Sequence, residues 1–226
     1  MDRDKKTRIL VVIALIVSVL GLSVGYAAFS QTLTIKSSAE VKPDENIFNV
    51  DFSSNSSSVV GGTITPTLDP SNETGFTATD ATIDNSTSGS PVIKNLHAVF
   101  TKPGQSATYS FYTKNAGELA AYLSSVTFNN ASGVSDIKKC TAKNSTDQTL
   151  VNSYCPDIKL KVYVGSEEFT STKARNQFAV ATAHDLGKNG YEQIRVVILY
   201  EQNAPQPEKG FDVEFGDVVL SYTSNI

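Results

Sequence analysis

The chain has 226 residues, a formal net charge of −4 and only 19% charged residues. This length suits one large domain or a sandwich with insertions. The acidic balance argues against a nucleic-acid partner, because phosphate binding requires clustered Lys and Arg. Ser, Thr, Asn and Gly are abundant, which is typical of β-strands joined by polar turns.

The N-terminal segment has the pattern of an export signal. Lys5, Lys6 and Arg8 precede an uncharged stretch at residues 9–29. The positive charges predict that this end stays on the cytoplasmic side of the membrane. The apolar core of the stretch has the length of a signal peptide, and the whole stretch is long enough to span a bilayer of about 30 Å.

The end of this stretch favours cleavage. Gly25 and Ala27 are small residues at the −3 and −1 positions that a signal peptidase accepts, for a cut before Ala28. We therefore expect residues 1–27 to be a signal peptide and the chain to be secreted or exposed on the cell surface. The alternative is an uncleaved apolar helix that anchors the chain in the membrane through residues 9–29.

A short strand and a large β domain are expected after the leader. Residues 28–40 begin with an alternating segment in which Leu33 and Ile35 lie on one face. Residues 41–226 are expected to form the domain, with a Ser/Thr/Asn-rich loop region at 53–90.

Alternation predicts the strands of the first half of this domain. Phe48, Val50 and Phe52 fall on one face of an early strand. The Lys-Pro-Gly-Gln turn at residues 102–105 has the type II preference for Pro followed by Gly. With the apolar segments on either side of it and the strand ending at Phe128, it predicts a three-strand meander.

The second half contains the clearest strands. Residues 158–164 alternate strictly, and residues 194–200 have the apolar content of a central strand. Residues 211–223 predict two short strands or one strand bent at Gly216. Residues 172–181 fit either a short helix or a loop carrying one strand. Because no βαβ rhythm occurs, we predict an all-β fold in the form of an antiparallel two-sheet β-sandwich.

The two cysteines of the chain are close in sequence. Cys140 and Cys155 most simply form a disulfide in an exported protein. In the chain-entropy model a loop of this size adds roughly 3 kcal/mol of stability. Free thiols are the alternative. No His or Cys lies nearby to complete a tetrahedral metal site.

Catalytic and metal-binding motifs are not evident in the sequence. The two histidines, His97 and His184, are far apart, and no His-Glu-x-x-His, Gly-x-Ser-x-Gly or phosphate-binding Gly-rich loop occurs. We expect His97 to face the surface from a strand and His184 to be an exposed loop residue. A Ca²⁺ patch would have to come from four carboxylates whose spacing matches no known loop, at Asp69, Glu73, Asp80 and Asp84. We expect no catalytic residue, cofactor or metal.

Three segments resemble the TasA/camelysin family of exported bacterial biofilm-matrix fibre and surface proteins. The junction Gly-Tyr-Ala-Ala-Phe-Ser at residues 25–30 resembles the leader end of that family. Residues 96–128, with their Lys-Pro-Gly-Gln and Lys-Asn-Ala-Gly-Glu turns, resemble its Pro-Gly-Asp turn and Asn-x-Gly hairpin. The closing strand at residues 218–223 also fits.

The resemblance implies a jelly-roll-like secreted subunit that polymerises into extracellular, pilus-like filaments. In such fibres the N-terminal segment of one subunit completes the sheet of the next, which is donor-strand complementation. Phe29, Leu33 and Ile35 are then the candidate pocket fillers of the donor strand. The partners implied are further copies of the chain and the signal peptidase that cuts between Ala27 and Ala28.

Two features limit the resemblance. The Cys140–Cys155 pair is not a feature of the fibre-forming members. Camelysin is described as a metalloprotease, but a zinc hydrolase needs about three protein ligands, and this chain has two distant histidines, so we expect no enzyme. The alternative to a filament subunit is a monomeric, membrane-tethered β-sandwich ectodomain that binds a protein or a glycan.

Overall fold

Strict alternation of buried and exposed side chains defines the long strands. The computed structural model describes residues 47–55, 61–171 and 184–224. Ile158–Val164 buries every second side chain, and the same pattern fixes the buried face of the last seven residues of Tyr191–Tyr200. Successive side chains of a strand point to opposite faces, so this pattern leaves one face for the core.

Sixteen strands and one α-helix are found in the described residues. In chain order the strands are β1 (Val50–Ser53), β2 (Thr63–Ile64), β3 (Thr67–Asp69), β4 (Thr77–Ala78), β5 (Ala81–Asp84), β6 (Val92–Lys94), β7 (His97–Phe100), β8 (Ser106–Asn115), β9 (Ala121–Phe128), β10 (Lys138–Ala142), β11 (Ile158–Val164), β12 (Glu167–Phe169), β13 (Asp185–Leu186), β14 (Tyr191–Tyr200), β15 (Phe211–Phe215) and β16 (Val218–Thr223). The helix is α1 (Gln148–Tyr154).

Every strand pairing is antiparallel, and the all-β class is confirmed. Sheet A has the order β1-β8-β14-β11-β12, and β3 also pairs with β8. Sheet B has the order β13-β9-β16-β6-β5-β2, and sheet C the order β10-β15-β7-β4. All described residues belong to one compact unit, Pro43–Ile226.

The hydrogen-bonded strands form three sheets, whereas two were expected. The chain passes between sheet B and sheet C at two places, one between β6 and β7 and one between β15 and β16. We call these interruptions of the strand pairing the two breaks. Asn95 adopts a left-handed φ of 61° at the first break. A Cβ at Gly216, in the second, would collide with the carbonyl of Asn129. The two breaks are adjacent, because the N–H of Phe215 donates to the carbonyl of Leu96 at 2.9 Å.

The predicted meander is wrong. β7, β8 and β9 lie in sheets C, A and B respectively, so no two of these three strands pair with each other. The predicted Pro-Gly turn is present, with Gly104 at a φ of 85°. Turn residues specify that the chain reverses, but they do not specify whether the next strand stays in the same sheet.

Aromatic side chains fill the space between sheet A and the other two sheets. The ring of Tyr200, from sheet A, lies 5.9 Å from Phe100 and 5.7 Å from Phe211, both from sheet C. The hydroxyl of Tyr109 donates to the carbonyl of Thr79 at 3.0 Å. The two edge-to-face contacts of Tyr200 with Phe100 and Phe211 add about 1 kcal/mol each beyond the free energy of burial.

The predicted disulfide between Cys140 and Cys155 is present. It closes a loop that contains α1, although the sequence shows no helical periodicity there. The helix has seven residues and buries only Val151, which is too short for an amphipathic pattern to be recognised. No helix in the described part of the chain is long and apolar enough to cross a membrane.

Candidate assembly edge

The predicted donor strand and cleavage site lie outside the described residues. The positions concerned are Ala27, Ala28, Phe29, Leu33 and Ile35, together with the apolar stretch at 9–29. They stay predictions. The described domain is informative about the other half of donor-strand exchange, which is the sheet edge that accepts a strand.

A sheet edge carries unpaired N–H and C=O groups that recruit further strands, so natural proteins cover or blunt their edges. The outer edge of β1 is covered by one side chain. Asn85 accepts a hydrogen bond from the N–H of Phe52 at 2.8 Å and donates to the carbonyl of Phe52 at 2.9 Å. The amide thus replaces one residue of a neighbouring strand.

The edge of β10 is covered by the disulfide loop. Gln148, at the start of α1, accepts from the N–H of Ala142 and donates to the carbonyl of Cys140, both at 3.0 Å. The disulfide from Cys140 to Cys155 holds this helix against the strand.

The edge of β11 is blunted by lysines. β12 pairs with β11 only from Val162 to Val164. Beyond that point Lys138 reaches across from β10 and donates to the carbonyl of Ile158 at 2.6 Å, and burial lowers the pKa of Lys138. Lys159 and Lys161 line the same groove of about 380 Å³, where Lys159 pairs with Glu201 at 3.9 Å and Lys161 with Glu168 at 3.3 Å. Edge lysines oppose the addition of another strand.

The outer edge of β9 has none of these devices. β9 pairs along its length with β16 on one side. On the other side β13 pairs only with Ala121 and Tyr122. In the described part of the chain, Leu123–Phe128 has no strand partner on that side, and we call this side of residues 123–128 the β9 edge. Its sequence, LSSVTF, contains no charge, Pro or Gly.

The alternation of β9 is interrupted at Ser124, where its register with β16 shifts by one residue. Leu123 and Val126 are buried in the core, while Thr127 is exposed. The Ser124 hydroxyl donates to the carbonyl of Ser221 on β16 at 2.8 Å, on the side away from the β9 edge. The strand is therefore held firmly on its inner side, and a β-augmenting segment could bind on its outer side.

The histidines behave differently from one another. His97 lies on β7 and pairs with Asp212 at 3.3 Å, with its side chain 31% exposed. The expectation that His184 is an exposed loop residue is wrong, since its side chain is 11% exposed. Its Nδ1 lies 2.8 Å from Glu192 and its Nε2 lies 3.2 Å from Glu167. The hydrogen bond to Glu192 is the main reason why the pKa of His184 is raised.

The described residues contain no group of three or more His, Cys, Asp or Glu side chains arranged to hold a metal ion. The two ring nitrogens of His184 face different carboxylates, so the three groups do not converge on one point. Among the carboxylates considered for Ca²⁺, Asp84 pairs with Lys94 at 2.6 Å, which lowers the pKa of Asp84 to about 2. Glu73 pairs with Lys102.

No family model, curated protein or solved structure matches this chain. The likeness to the TasA/camelysin family therefore rests on the leader, hairpin and closing-strand residues of the sequence alone.

Sequence reasoning missed the β9 edge, although one signal for it was present. Residues 121–128 are an uncharged strand, whereas residues 158–164 carry two lysines. Which of these strands lies at an edge depends on pairing between distant segments, and the sequence of one strand does not specify it.

Proposed function

We propose that the chain is a secreted structural subunit that polymerises into extracellular filaments by donating its N-terminal strand to the next subunit. The observation that carries this proposal is that no described residue pairs with the β9 edge beyond Ala121 and Tyr122. Three other edges are covered by Asn85, by the disulfide loop or by lysines, and β2 and β4 are only two residues long. A long uncharged edge is a liability unless another chain covers it.

The proposed donor suits this acceptor in two respects. Residues 28–35, AFSQTLTI, carry no charge, so pairing with the uncharged β9 edge brings no like charges together. Leu33 and Ile35 are two residues apart and point to one face of an added strand, toward the core side. Main-chain hydrogen bonds would supply the affinity and these side chains the register.

The finer fold belongs to the same proposal. Sheet A forms one layer, and sheets B and C together form a second layer broken at Asn95 and Gly216. We propose that this arrangement is a jelly-roll-like sandwich of the TasA/camelysin type, preceded by a cleaved apolar signal helix. A retained helix would favour the membrane-tethered ectodomain instead, and N-terminal sequencing of the mature surface protein separates the two.

Disulfide trapping tests the donor-strand pairing directly. The described residues contain no free cysteine, so Thr34→Cys, on the face opposite Leu33 and Ile35, combined with the exposed Thr127→Cys introduces one new pair. We expect a ladder of cross-linked oligomers under oxidising conditions, visible on non-reducing gels, and filaments in electron micrographs. The matched control combines Thr34→Cys with Lys161→Cys, on the outer face of β11, and we expect no ladder from it.

Each other outcome contradicts a definite part of the proposal. A ladder from the Lys161→Cys control would place the acceptor at β11. A cross-linked monomer from the Thr127→Cys pair would show that the segment folds back on its own subunit. Filaments of normal length after deletion of residues 28–35 would overturn donor-strand assembly altogether.

A further inference from the structure

His184 joins two sheets through a pair of carboxylates. It lies directly before β13 in sheet B, while Glu167 and Glu192 belong to β12 and β14 in sheet A. Its backbone has a left-handed φ of 53°, a conformation that residues with a Cβ rarely adopt. The ring also contacts Phe169 edge to face at 6.3 Å. The surroundings therefore hold His184 in an otherwise unfavourable conformation.

The strand that follows His184 depends on such contacts. β13 has two residues, and a pairing this short is not stable by itself. Asn115 donates a hydrogen bond to the carbonyl of Leu186 at 2.8 Å, and this contact does not titrate. His184 adds contacts with Glu192 and Glu167 at this end of β13, and these contacts do titrate.

Glu192 cannot easily lose its partner. Its Oε1 faces His184, and its Oε2 is buried with no hydrogen-bond partner among the described residues. The hydroxyls of Thr113 and Tyr222 are buried beside each other, and the charge of Glu192 acts on Tyr222. A partly buried carboxylate is costly without a cation beside it.

A glycine in the neighbouring turn leaves room for that carboxylate. Gly165, in the turn between β11 and β12, has a φ of 55°, and a Cβ there would lie 2.5 Å from Oε1 of Glu192. Glycine at this position allows the carboxylate to lie beside His184. Glu192 and Glu167 are the charged groups that act on His184.

We propose that His184 is a pH-dependent clasp that holds β13 on the end of β9, closed in mild acid and opening as the pH rises. Its protonated ring bridges Glu167 and Glu192, and the neutral ring leaves the Glu192 charge uncompensated. Opening would extend the β9 edge by Ala121 and Tyr122. The consequence for filament growth rests on the proposed function, whereas the clasp itself does not.

The sign of the pH dependence follows from the raised pKa of His184. A histidine whose folded pKa lies above its unfolded value of about 6.5 adds stability that is fully present below that value. This stability is lost as the pH rises through the folded pKa. The clasp is thus closed near pH 6 and opens as the pH rises through the raised pKa of His184.

Amide hydrogen exchange by NMR tests the clasp in the full chain under conditions where it is monomeric. We expect protection at Ala121, Tyr122 and Leu186 to fall about fivefold between pH 6 and pH 8.5 after correction for intrinsic exchange, a modest effect for a coupling of this kind. In His184→Gln, which cannot be charged, protection should be low and independent of pH. Unchanged protection in the wild type across this range would overturn the clasp.

Two further variants keep the test decisive. His97→Gln removes the other histidine and should leave the pH dependence at β13 intact. Glu167→Gln removes the more exposed carboxylate and should weaken the pH dependence without abolishing it, which also serves if His184→Gln fails to fold. If His97→Gln alone abolished the pH dependence at β13, His97 and not His184 would be its source, and the clasp would be wrong.

Filament growth at the two pH values separates the clasp from the proposed function. Faster growth at pH 8.5 in the wild type, and equally fast growth at both pH values in His184→Gln, supports both. If β13 opens but growth is independent of pH, the clasp stands and the extended β9 edge is not used for assembly. If growth depends on pH while β13 does not open, the clasp is wrong.

Discussion

The β9 edge and the β11 edge are both sheet borders with buried apolar side chains, yet they carry opposite chemistry. Along β11, Lys138 donates a hydrogen bond to the carbonyl of Ile158, and Lys159 and Lys161 form ion pairs with Glu201 and Glu168. Along β9, from Leu123 to Phe128, there is no charged side chain, and the described residues supply no covering group.

This difference indicates that the two edges have different uses. Sheet edges that must not pair with another chain are capped or charged, because unpaired backbone groups otherwise recruit other chains. The domain uses three separate devices to achieve this elsewhere, with an amide on β1, a disulfide-held helix on β10 and lysines on β11. The described residues leave β9 uncovered from Leu123 to Phe128, which is consistent with an edge that a partner strand covers in the assembled state.

The largest effect is expected when the β9 edge receives a lysine like those of the β11 edge. Thr127→Lys places an ammonium group beside the proposed donor strand, and we expect filaments to disappear from electron micrographs. Thr127 is exposed, so urea unfolding of the monomer should change by less than about 0.5 kcal/mol. Thr141→Lys on the covered β10 edge is the matched control, and normal filaments from Thr127→Lys would contradict the role of β9.

Removing the disulfide is expected to produce the largest change in stability. Cys140→Ser/Cys155→Ser should lower the free energy of unfolding by about 2–4 kcal/mol, because the unfolded chain regains the entropy of an open loop. It should also release α1 from β10 and make the protein aggregate through a second edge. Urea denaturation and light scattering measure the two effects. Equal stability of the variant and the oxidised wild type would show that the bridge does not hold this edge.

The Asn85 amide is expected to contribute about 2 kcal/mol. Asn85→Ala removes two hydrogen bonds to Phe52, which is fully buried, and each such bond contributes about 1 kcal/mol. Thermal and urea unfolding measure the loss. Asn72→Ala is the control, since Asn72 is exposed and forms no such pair. A loss as small as that of the control would mean that water replaces the amide at β1.

The local pattern of the sequence predicted strands well and their partners poorly. Residues 158–164 and 194–200 alternate, and they form β11 and the core of β14. The pairing of β7, β8 and β9 was predicted wrongly because each connection crosses to another sheet, which turn residues do not specify. The three sheets likewise follow from breaks at Asn95 and Gly216 that come together only in the fold.

The candidate sites show the same limit. The Cys140–Cys155 bridge is local in sequence and was predicted. His184 was placed on the surface because its partners lie at positions 167 and 192, on strands that meet it only after folding. The edge of β9 was not recognised because being an edge is a property of sheet order, and alternation within one strand carries no information about it.

The smallest expected effect sharpens the comparison from the side of β11. Lys138→Met keeps the apolar stem but removes the donor to the carbonyl of Ile158, so stability should fall by about 1 kcal/mol. The exposed Lys143→Met is the control. The informative measurement is light scattering of the folded protein over time. If Lys138 protects the β11 edge from pairing with other chains, Lys138→Met should associate while Lys143→Met does not. Equal scattering from both variants would show that the lysine does not protect the β11 edge, and the contrast with β9 would then be one of sequence only.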